Sequence, residues 1–563
     1  MGCVGRRMKI TPVLELVNTE TFLNDYLTVC GIEDVEHYLS ADYTCFDNPW
    51  EYKNMDRAVE RLEQAIKNGE KIVILVDCDV DGLMSSALIY NYIKEYGSNE
   101  IIPFFHKGKA HGLRTNVDEN LVQKIIDSKS TLLLVPDAGS SDVDEMAELK
   151  QHGIDTIVTD HHLIDKSSDF IVVNNTSNDN QVNNKLSGTG VTHKLALAHY
   201  DKYGKKGILN PLYLCDLVAV SLVSDMCDMI SYENRAYIAE GFKVIKSSKG
   251  NAILKAMVEK FNRRGLTQLG FSWGSVPCMN SLTRIDDDES KQLFFKSLVG
   301  EYEIPLGLHI LDKARDAQRK EVDEAVSEAR KTVKEYDNLI IGFVPAQYKN
   351  FTGLIANKYC GEKNKPTLIL REASPTTWSG SMRSPVPLLK EINETKLAKC
   401  QGHDEACGCF AKKSNLPRLV NWFNSQSFDL DPNIQVAGKL EIANINKSIC
   451  KQCGNNATVW SGSDKGGIPE PKFYVAFNSS PNKLIVYEKA TTTVKFSFGN
   501  VDIMKFIAKR EDVKKLRSDK CKIEAIVTLD VNVWNGHIMP QAKIESWEIT
   551  PLEEEETNWQ DWF

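Results

Sequence analysis

Residues 71–82 read KIVILVDCDVDG. The run 72–76 is apolar and rich in β-branched side chains, too short for a buried helix, and it reads as a strand ending on Asp77. Residues 82–90 then resume at helical spacing, so the unit is strand, acid-bearing loop, helix. The same order recurs: TLLLVP at 131–136 ends on Asp137, and IDTIVT at 154–159 ends on Asp160. Three buried strands separated by helical stretches, each closing on an acid, predict a parallel α/β sheet with carboxylates gathered along its carboxyl edge.

Outward from this core, Ala58, Leu62, Ala65 and Ile66 repeat at helical spacing, and Asn68-Gly69 ends them. Residues 305–336 are polar and carry no glycine or proline after Gly307, which predicts a long connecting helix and a domain boundary along it. Beyond it, 338–344, 366–370 and 376–380 read as strands around a helix at 353–359, a smaller α/β module. From residue 430 onward, short alternating strands at 472–477, 483–487, 492–498 and 523–533 predict a small β-barrel. The chain closes on PLEEEETNWQDWF at 551–563, an acidic tail with aromatic tips and little to bury.

At 563 residues the chain exceeds one ordinary core, and at roughly 100–200 residues per domain it divides into three or four. No stretch approaches the ~18 consecutive apolar residues of a membrane span, so a soluble protein without membrane contact is expected. The opening MGCVGRRMKI has arginines but no apolar run behind them and predicts no signal peptide. Met8 is an alternative start, and Gly2 and Cys3 are read as coincidence rather than a lipidation signal. Fourteen irregularly spaced cysteines fit a reducing cytoplasm better than a disulfide framework. The net charge of −9 speaks against passive coating of nucleic acid but leaves a nuclease open, because a metal cluster needs carboxylates and a phosphate groove is local.

Asp77, Asp79 and Asp81 alternate on a turn that Gly82 lets bend. Alone, such a turn is equally a solvated loop, a helix cap or a calcium site, although no Glu stands six residues beyond Gly82 as an EF-hand requires. Asp137 and Asp142 in DAGSSD share that ambiguity. Asp160-His161-His162 is more specific, since oxygen and imidazole ligands side by side at a strand end suit Mn2+ or a mixed site. Cys450 and Cys453 form half a zinc knuckle, with Cys400, Cys407 and Cys409 upstream as candidates to complete a structural Zn2+ site.

These motifs resemble those of the RecJ-like exonucleases in the DHH phosphoesterase superfamily. VDCDVDGLMSSA at 76–87 is similar to the first motif, VPDAGSSD at 135–142 to the second, VTDHHL at 158–163 to the third, and LVAVSLVSDMCDM at 217–229, with Asp225, to the fourth. LSGTGVTHKLA, with Gly188 and Gly190, follows in order, as do Glu233-Asn234-Arg235 and the segment carrying Pro277, Asn280 and Arg284. SGSMRS, with Ser381, Arg383 and Ser384, resembles the substrate-binding arginine motif of the DHH-associated domain, and QGHDEACG, with His403, resembles its histidine loop. Gln401, Cys407 and the Asn174-Asn175 pair depart from the usual pattern, and Gln401 weakens the reading of the loop before His403. The resemblance spans residues 50–550 and implies an N-terminal extension at 1–50 and a parallel-sheet DHH catalytic domain at 51–300. It further implies a connecting helix at 301–337, a smaller α/β DHH-associated domain at 338–429, an OB-like β-barrel at 430–550 and the tail at 551–563.

Hydrolysis of a phosphodiester needs a nucleophile at neutral pH and charge stabilisation on the attacking and leaving oxygens, which two divalent ions ~3.5–4 Å apart supply. The resemblance implies that Asp137 bridges two Mn2+ or Mg2+ ions, with Asp77 and Asp79 on one and Asp81, His161 and Asp225 on the other. His162 is expected to face the scissile phosphate in preference to ligating a third ion, and Asp160 to orient a histidine. Arg383 offers a bidentate grip on phosphate, with His403 on the same nucleotide, although alone Arg383 is equally a surface salt-bridge arginine. An active site between two domains admits a single strand and excludes a duplex. The resemblance adds 5′ to 3′ polarity, a role in DNA repair, recombination or replication, and a bacterial or phage-infected cytoplasm. Trp534, Tyr474 and Phe477 are candidates to stack on bases or, equally, core aromatics. The tail is a candidate for recruiting a single-strand-binding or replication protein, or a solubilising end. Rival readings are a DHH phosphodiesterase of short oligonucleotides or cyclic dinucleotides, and a non-catalytic replication scaffold on the same fold.

Overall fold

The apolar run that opens the argument forms strand β1 (Ile72–Val76), buried along its length. Parallel strands follow as β2 (Ile101–Phe105), β3 (Leu132–Pro136), β4 (Asp155–Asp160) and β5 (Ile171–Asn174), in sheet order β2-β1-β3-β4-β5. In this computed structural model the structure describes residues 9–97, 99–105, 111–113, 120–166, 168–177, 182–284, 287–428, 433–461, 467–534 and 537–552, without the side chains of residues 9, 403, 433, 483 and 534. The sheet is covered on both faces, which is why β1 and β3 are apolar throughout instead of alternating. One face carries Val73, Leu75, Leu133, Val135 and Val158 against Leu121, Ile125, Met146 and Leu149. The other faces helices α1 (Val80–Lys94) and α2 (Gly188–Tyr203), which pack on each other and on α3 (Cys215–Ser224).

The chain runs from β1 outward to β2 and then returns to the opposite side of β1 with β3. The crevice beyond the carboxyl ends of β1 and β3 is therefore a topological switch point, the place where open α/β sheets bind their ligands. Two strands are absent from the sequence reading. β2 contains Pro103, which a central strand would not tolerate but an edge strand does. β5 is only four residues long.

The chain forms two compact units, Met1–Leu308 with Asn433–Phe563, and His309–Pro432. In the first, the Lys9–Pro12 strand pairs in parallel with Asn433–Val436. One apolar core joins Phe22, Tyr26 and Tyr38 near the N-terminus to Trp460, Phe473, Val475 and Phe496. The C-terminal sheet has seven strands in the order Gly438–Lys439, Lys472–Ser479, Cys521–Trp534, His537–Pro551, Val501–Lys505, Thr492–Phe498, Leu484–Glu488. Its two end strands are not paired with each other among the described residues. In the second unit a six-stranded sheet runs Ala398–His403, Ala406–Lys412, Thr377–Arg383, Thr367–Ser374, Ile340–Phe343, Lys334–Glu335. The long helix spans Ile304–Thr332. Among the described residues no helix is long and apolar enough to cross a membrane.

His193 shows how α2 is fixed in the first unit. It is fully buried; its Nε2 lies 2.9 Å from the Pro211 carbonyl and its Nδ1 lies 3.1 Å from the Tyr237 hydroxyl. Burial drives its pKa down from 6.5 to about 4, so the native state keeps it neutral while the unfolded chain takes a proton. The stability this contributes is present above pH 6.5 and is lost as pH falls toward 4. We expect His193→Gln, which can still donate to Pro211, to flatten the acid-side fall in stability by up to about 1.4 kcal/mol per pH unit, read from chemical denaturation between these pH values.

Candidate metal centre

At the end of β1 the chain turns straight into α1. A Cβ on Gly82 would fall 2.5 Å from Asp77 Cβ, so only glycine lets the helix begin this close to the strand end. Asp79 caps α1, its Oδ1 accepting from the Gly82 amide at 2.9 Å. Asp81 is buried in the first turn. Its Oδ1 accepts from Thr189 N (2.8 Å), Thr189 Oγ1 and Ser221 Oγ (2.6 Å), and its Oδ2 accepts from Gly188 N (2.9 Å). Oδ2 keeps a lone pair, and His161 Nε2 lies 3.7 Å from it.

Asp137 is treated differently by the fold. It stands at the end of β3 with φ 68°, its amide donating to the Thr159 carbonyl at 2.7 Å. The side chain is buried, and neither carboxylate oxygen accepts a hydrogen bond among the described residues. His161 Nε2 stands 3.3 Å from Oδ1, without hydrogen-bond geometry. Burial, then the neighbouring Asp81, Asp79, Asp77 and Asp160, push its pKa well above the usual carboxylate range. Around it, ligand atoms of Asp77, Asp79 and Asp137 lie within 4.8 Å of one another, as do those of Asp81, His161 and Asp225, and those of Asp137, His161 and His162. Asp225 follows α3, and burial, then Asp81, push it up to about 6.

Asp160 does not join these groups. Its Oδ1 accepts from the amides of His161 (2.7 Å) and His162 (3.1 Å) and lies 2.8 Å from His162 Nδ1, while Oδ2 accepts from Ser140 N (3.2 Å). Burial opposes its charge, yet the His162 contact and these donors hold it well below the ordinary range, and the same contact pushes His162 up to about 9. Asp160 thus fixes the imidazole of His162. Asp142 also serves as a support, its Oδ2 accepting from the Leu113 amide at 2.6 Å. That amide follows His111-Gly112, and His111 Nδ1 sits 2.6 Å from Asp77 Oδ2. His111 is absent from the sequence reading because β2, the strand it follows, was hidden by Pro103. The Asp77 carboxylate pushes His111 up to about 11.

Gly188, a candidate for substrate binding, opens α2. Its amide is already given to Asp81, and a Cβ there would fall 2.2 Å from Asp137 Oδ1, so the glycine admits Asp137 beside α2. Asn280 and Arg284 lie one turn apart and half-buried on the Ser275–Arg284 helix, which packs on α1. In the second unit, Arg383 ends the Thr377–Arg383 strand and donates through Nη1 to the Met382 carbonyl at 2.8 Å. A Cβ on Gly353 would fall 2.9 Å from its Nη2. Ser381 Oγ is 2.9 Å from Thr352 Oγ1, and Ser384 is buried with its amide donating to the Glu405 carbonyl. The side chains of His403 and Trp534, and the tail from residue 553 onward, lie outside the described residues. Phe477 is a core aromatic, edge-on to Phe496 at 5.2 Å, and Tyr474 bonds Glu524. Cys450 and Cys453 are buried in the apolar core and join no group of three ligands among the described residues.

A cation fits the Asp137 site: five acids and two imidazoles converge, and among the described residues the buried Asp137 carboxylate has no donor to balance its charge. The DHH family, N-terminal domain, matches residues 71–221. The YorK protein of Bacillus subtilis (strain 168), prophage-derived and provisionally named a single-strand DNA-specific exonuclease, is 27% identical over 93% of this chain and 96% of its own. The single-stranded-DNA-specific exonuclease RecJ of Escherichia coli (strain K12) is 25% identical over 89% of this chain and 92% of its own.

The chain resembles the RecJ exonucleases over most of its length.

RecJ from Thermus thermophilus, solved in complex with Mn2+, shares the fold of this RecJ-like chain with a TM-score of 0.69, at 20% identity over 88% of this chain and 72% of that one. The same Thermus protein was also solved with Mg2+, with a TM-score of 0.64. We expect Gly188→Ala to weaken Mn2+ binding ~10–100-fold in calorimetry with little change in far-ultraviolet circular dichroism, because the new methyl group displaces a ligand and not the core.

Proposed function

We propose that this chain is a divalent-metal-dependent exonuclease that hydrolyses single-stranded DNA from the 5′ end and releases mononucleotides. The observation that carries this reading is Asp137, a buried carboxylate with no donor, set where two groups of ligands meet at the switch point of the sheet. Asp77, Asp79 and Asp137 would hold one Mn2+ or Mg2+, and Asp81, Asp137, His161 and Asp225 a second. Bound divalent cations supply Lewis acidity and an ionised water at neutral pH. The chain's own side chains do the rest. Asp160 holds His162 with Nδ1 turned inward, which leaves Nε2 to donate a proton to a phosphate oxygen. His161, held among acids, keeps Nε2 directed to the same centre. The backbone amides at the start of α2 spend themselves on Asp81 and fix its orientation.

Arg383, with Ser381 and Ser384 beside it, serves as the grip on a nucleotide phosphate, with His403 as its companion. Asn280 and Arg284 serve the strand further along, and Trp534 serves as a stacking surface. The relatives named for single-stranded DNA support this substrate over small cyclic dinucleotides. The acidic aromatic tail would recruit a single-strand-binding or replication protein in a bacterial or phage-infected cytoplasm.

A long single strand labelled separately at each end, incubated with Mn2+, Mg2+ or a chelator beside a blunt duplex, tests the activity. Metal-dependent release of mononucleotides from the 5′ end, sparing the duplex, is the expected result; cleavage confined to very short oligonucleotides would overturn it. Asp137→Asn should cut cleavage at least ~100-fold while leaving strand binding in place. It should also raise the melting temperature of the metal-free protein, because it removes a carboxyl whose ionisation burial and the neighbouring acids oppose. Arg383→Ala should raise KM for the strand ~10-fold, consistent with loss of a charge-assisted pair worth about 1.5–3 kcal/mol, with a smaller effect on kcat.

A further inference from the structure

The carboxylate cluster does not use Cys78 or His111, yet both stand beside it. Cys78 Sγ is 3.5 Å from His111 Nε2 and 3.9 Å from its Nδ1, and that imidazole lies 2.6 Å from Asp77 Oδ2. One ligand atom from each of Asp77, Cys78 and His111 falls within 4.8 Å of the others. Thiol, imidazole and carboxylate are the three donor types that tetrahedral Zn2+ accepts, and a thiolate selects against Mn2+ and Mg2+. The His111 side chain is 52% exposed whereas that of Asp77 is 1% exposed, so one wall of the triad opens to solvent. That open side gives a cation entry and leaves room for water as a fourth ligand. His111 is placed by a dedicated device: Gly112 turns in the left-handed region at φ 71°, and the amide of Leu113 is caught by Asp142.

We propose that Asp77, Cys78 and His111 form a site for one thiophilic divalent cation of the Zn2+ class, distinct from the carboxylate cluster and sharing Asp77 with it. On binding, the thiol proton and the proton between His111 and Asp77 leave to solvent, and the sulfur, a ring nitrogen and a carboxylate oxygen become ligands. The two carboxylate-rich groups around Asp137 contain no sulfur, so a sulfur-sensitive readout separates this site from them.

Co2+ is the probe. Added to the full chain in the presence of Mn2+, it should give a thiolate-to-cobalt charge-transfer band with a stoichiometry of one, absent from Cys78→Ser and weakened at least tenfold in apparent affinity in His111→Ala. Because the chain has other cysteines, a second measurement assigns the sulfur: Zn2+ should slow alkylation of Cys78 at least tenfold by peptide mapping in the wild type, and not in His111→Ala. No band in the wild type, a band of equal strength in Cys78→Ser, or Zn2+-independent alkylation of Cys78 would each overturn the proposal. None of these results touches the nuclease reading, which is measured with Mn2+ alone.

Discussion

Like-charge crowding at Asp137 is the constraint on which the rest of the centre depends. A carboxylate surrounded by Asp77, Asp79, Asp81 and Asp160, buried and without a donor, is among the costliest arrangements a core can hold. Among the described residues neither an arginine nor a backbone amide donates to it. The chain holds the acids in place by other means: Asp79 by capping α1, Asp81 by the amides that open α2, and Asp160 by two consecutive amides and His162. These neighbours of Asp137 are thus fixed by the backbone, and Asp137 alone is left with nothing but its neighbours' charge. Such a site is organised before its cation arrives.

The supports are themselves consequences of the parallel sheet. Strands that all run one way deliver their terminal residues to one edge, and the helices that follow present their unpaired first amides to that same edge. Asp81 accepting from Gly188 and Thr189 is this geometry in miniature: an acid from one helix start is held by the amides of another. Gly82 and Gly188 mark two places in the centre where the backbone comes closer to an aspartate than a side chain permits.

Much of this was legible in the sequence, because it rests on short-range signals. A β-branched run closing on an acid announces both the strand and the location of the acid; the run from 71 to 82 marked the first strand and three acids, and its repeats at 131–137 and 154–160 marked the parallel sheet. What escaped was carried by exceptions or by distance. Pro103 disguised an edge strand, and with it went His111, whose partner Asp77 lies 34 residues earlier. The hydrogen-bond partners of Asp142 and Gly188 were not legible, because residue type does not say which way an amide points. Phe477 could not be told from a stacking aromatic, since alternation marks a buried face without saying whether that face is groove or core. The union of the first residues with the C-terminal sheet has no local signature at all.

That union bears on how the protein comes to be made. The strand Lys9–Pro12 finds its partner only at Asn433–Val436, and the core around Phe22 and Tyr38 is completed by Trp460 and Phe473. A ribosome releases the His309–Pro432 unit before the second half of the first one exists. The inserted unit can therefore fold during synthesis, while the unit bearing the metal centre waits, its N-terminal apolar surface uncovered, until translation is nearly over. Premature termination anywhere in the last quarter of the message would leave a polypeptide with every acid of the cluster and an unfinished core.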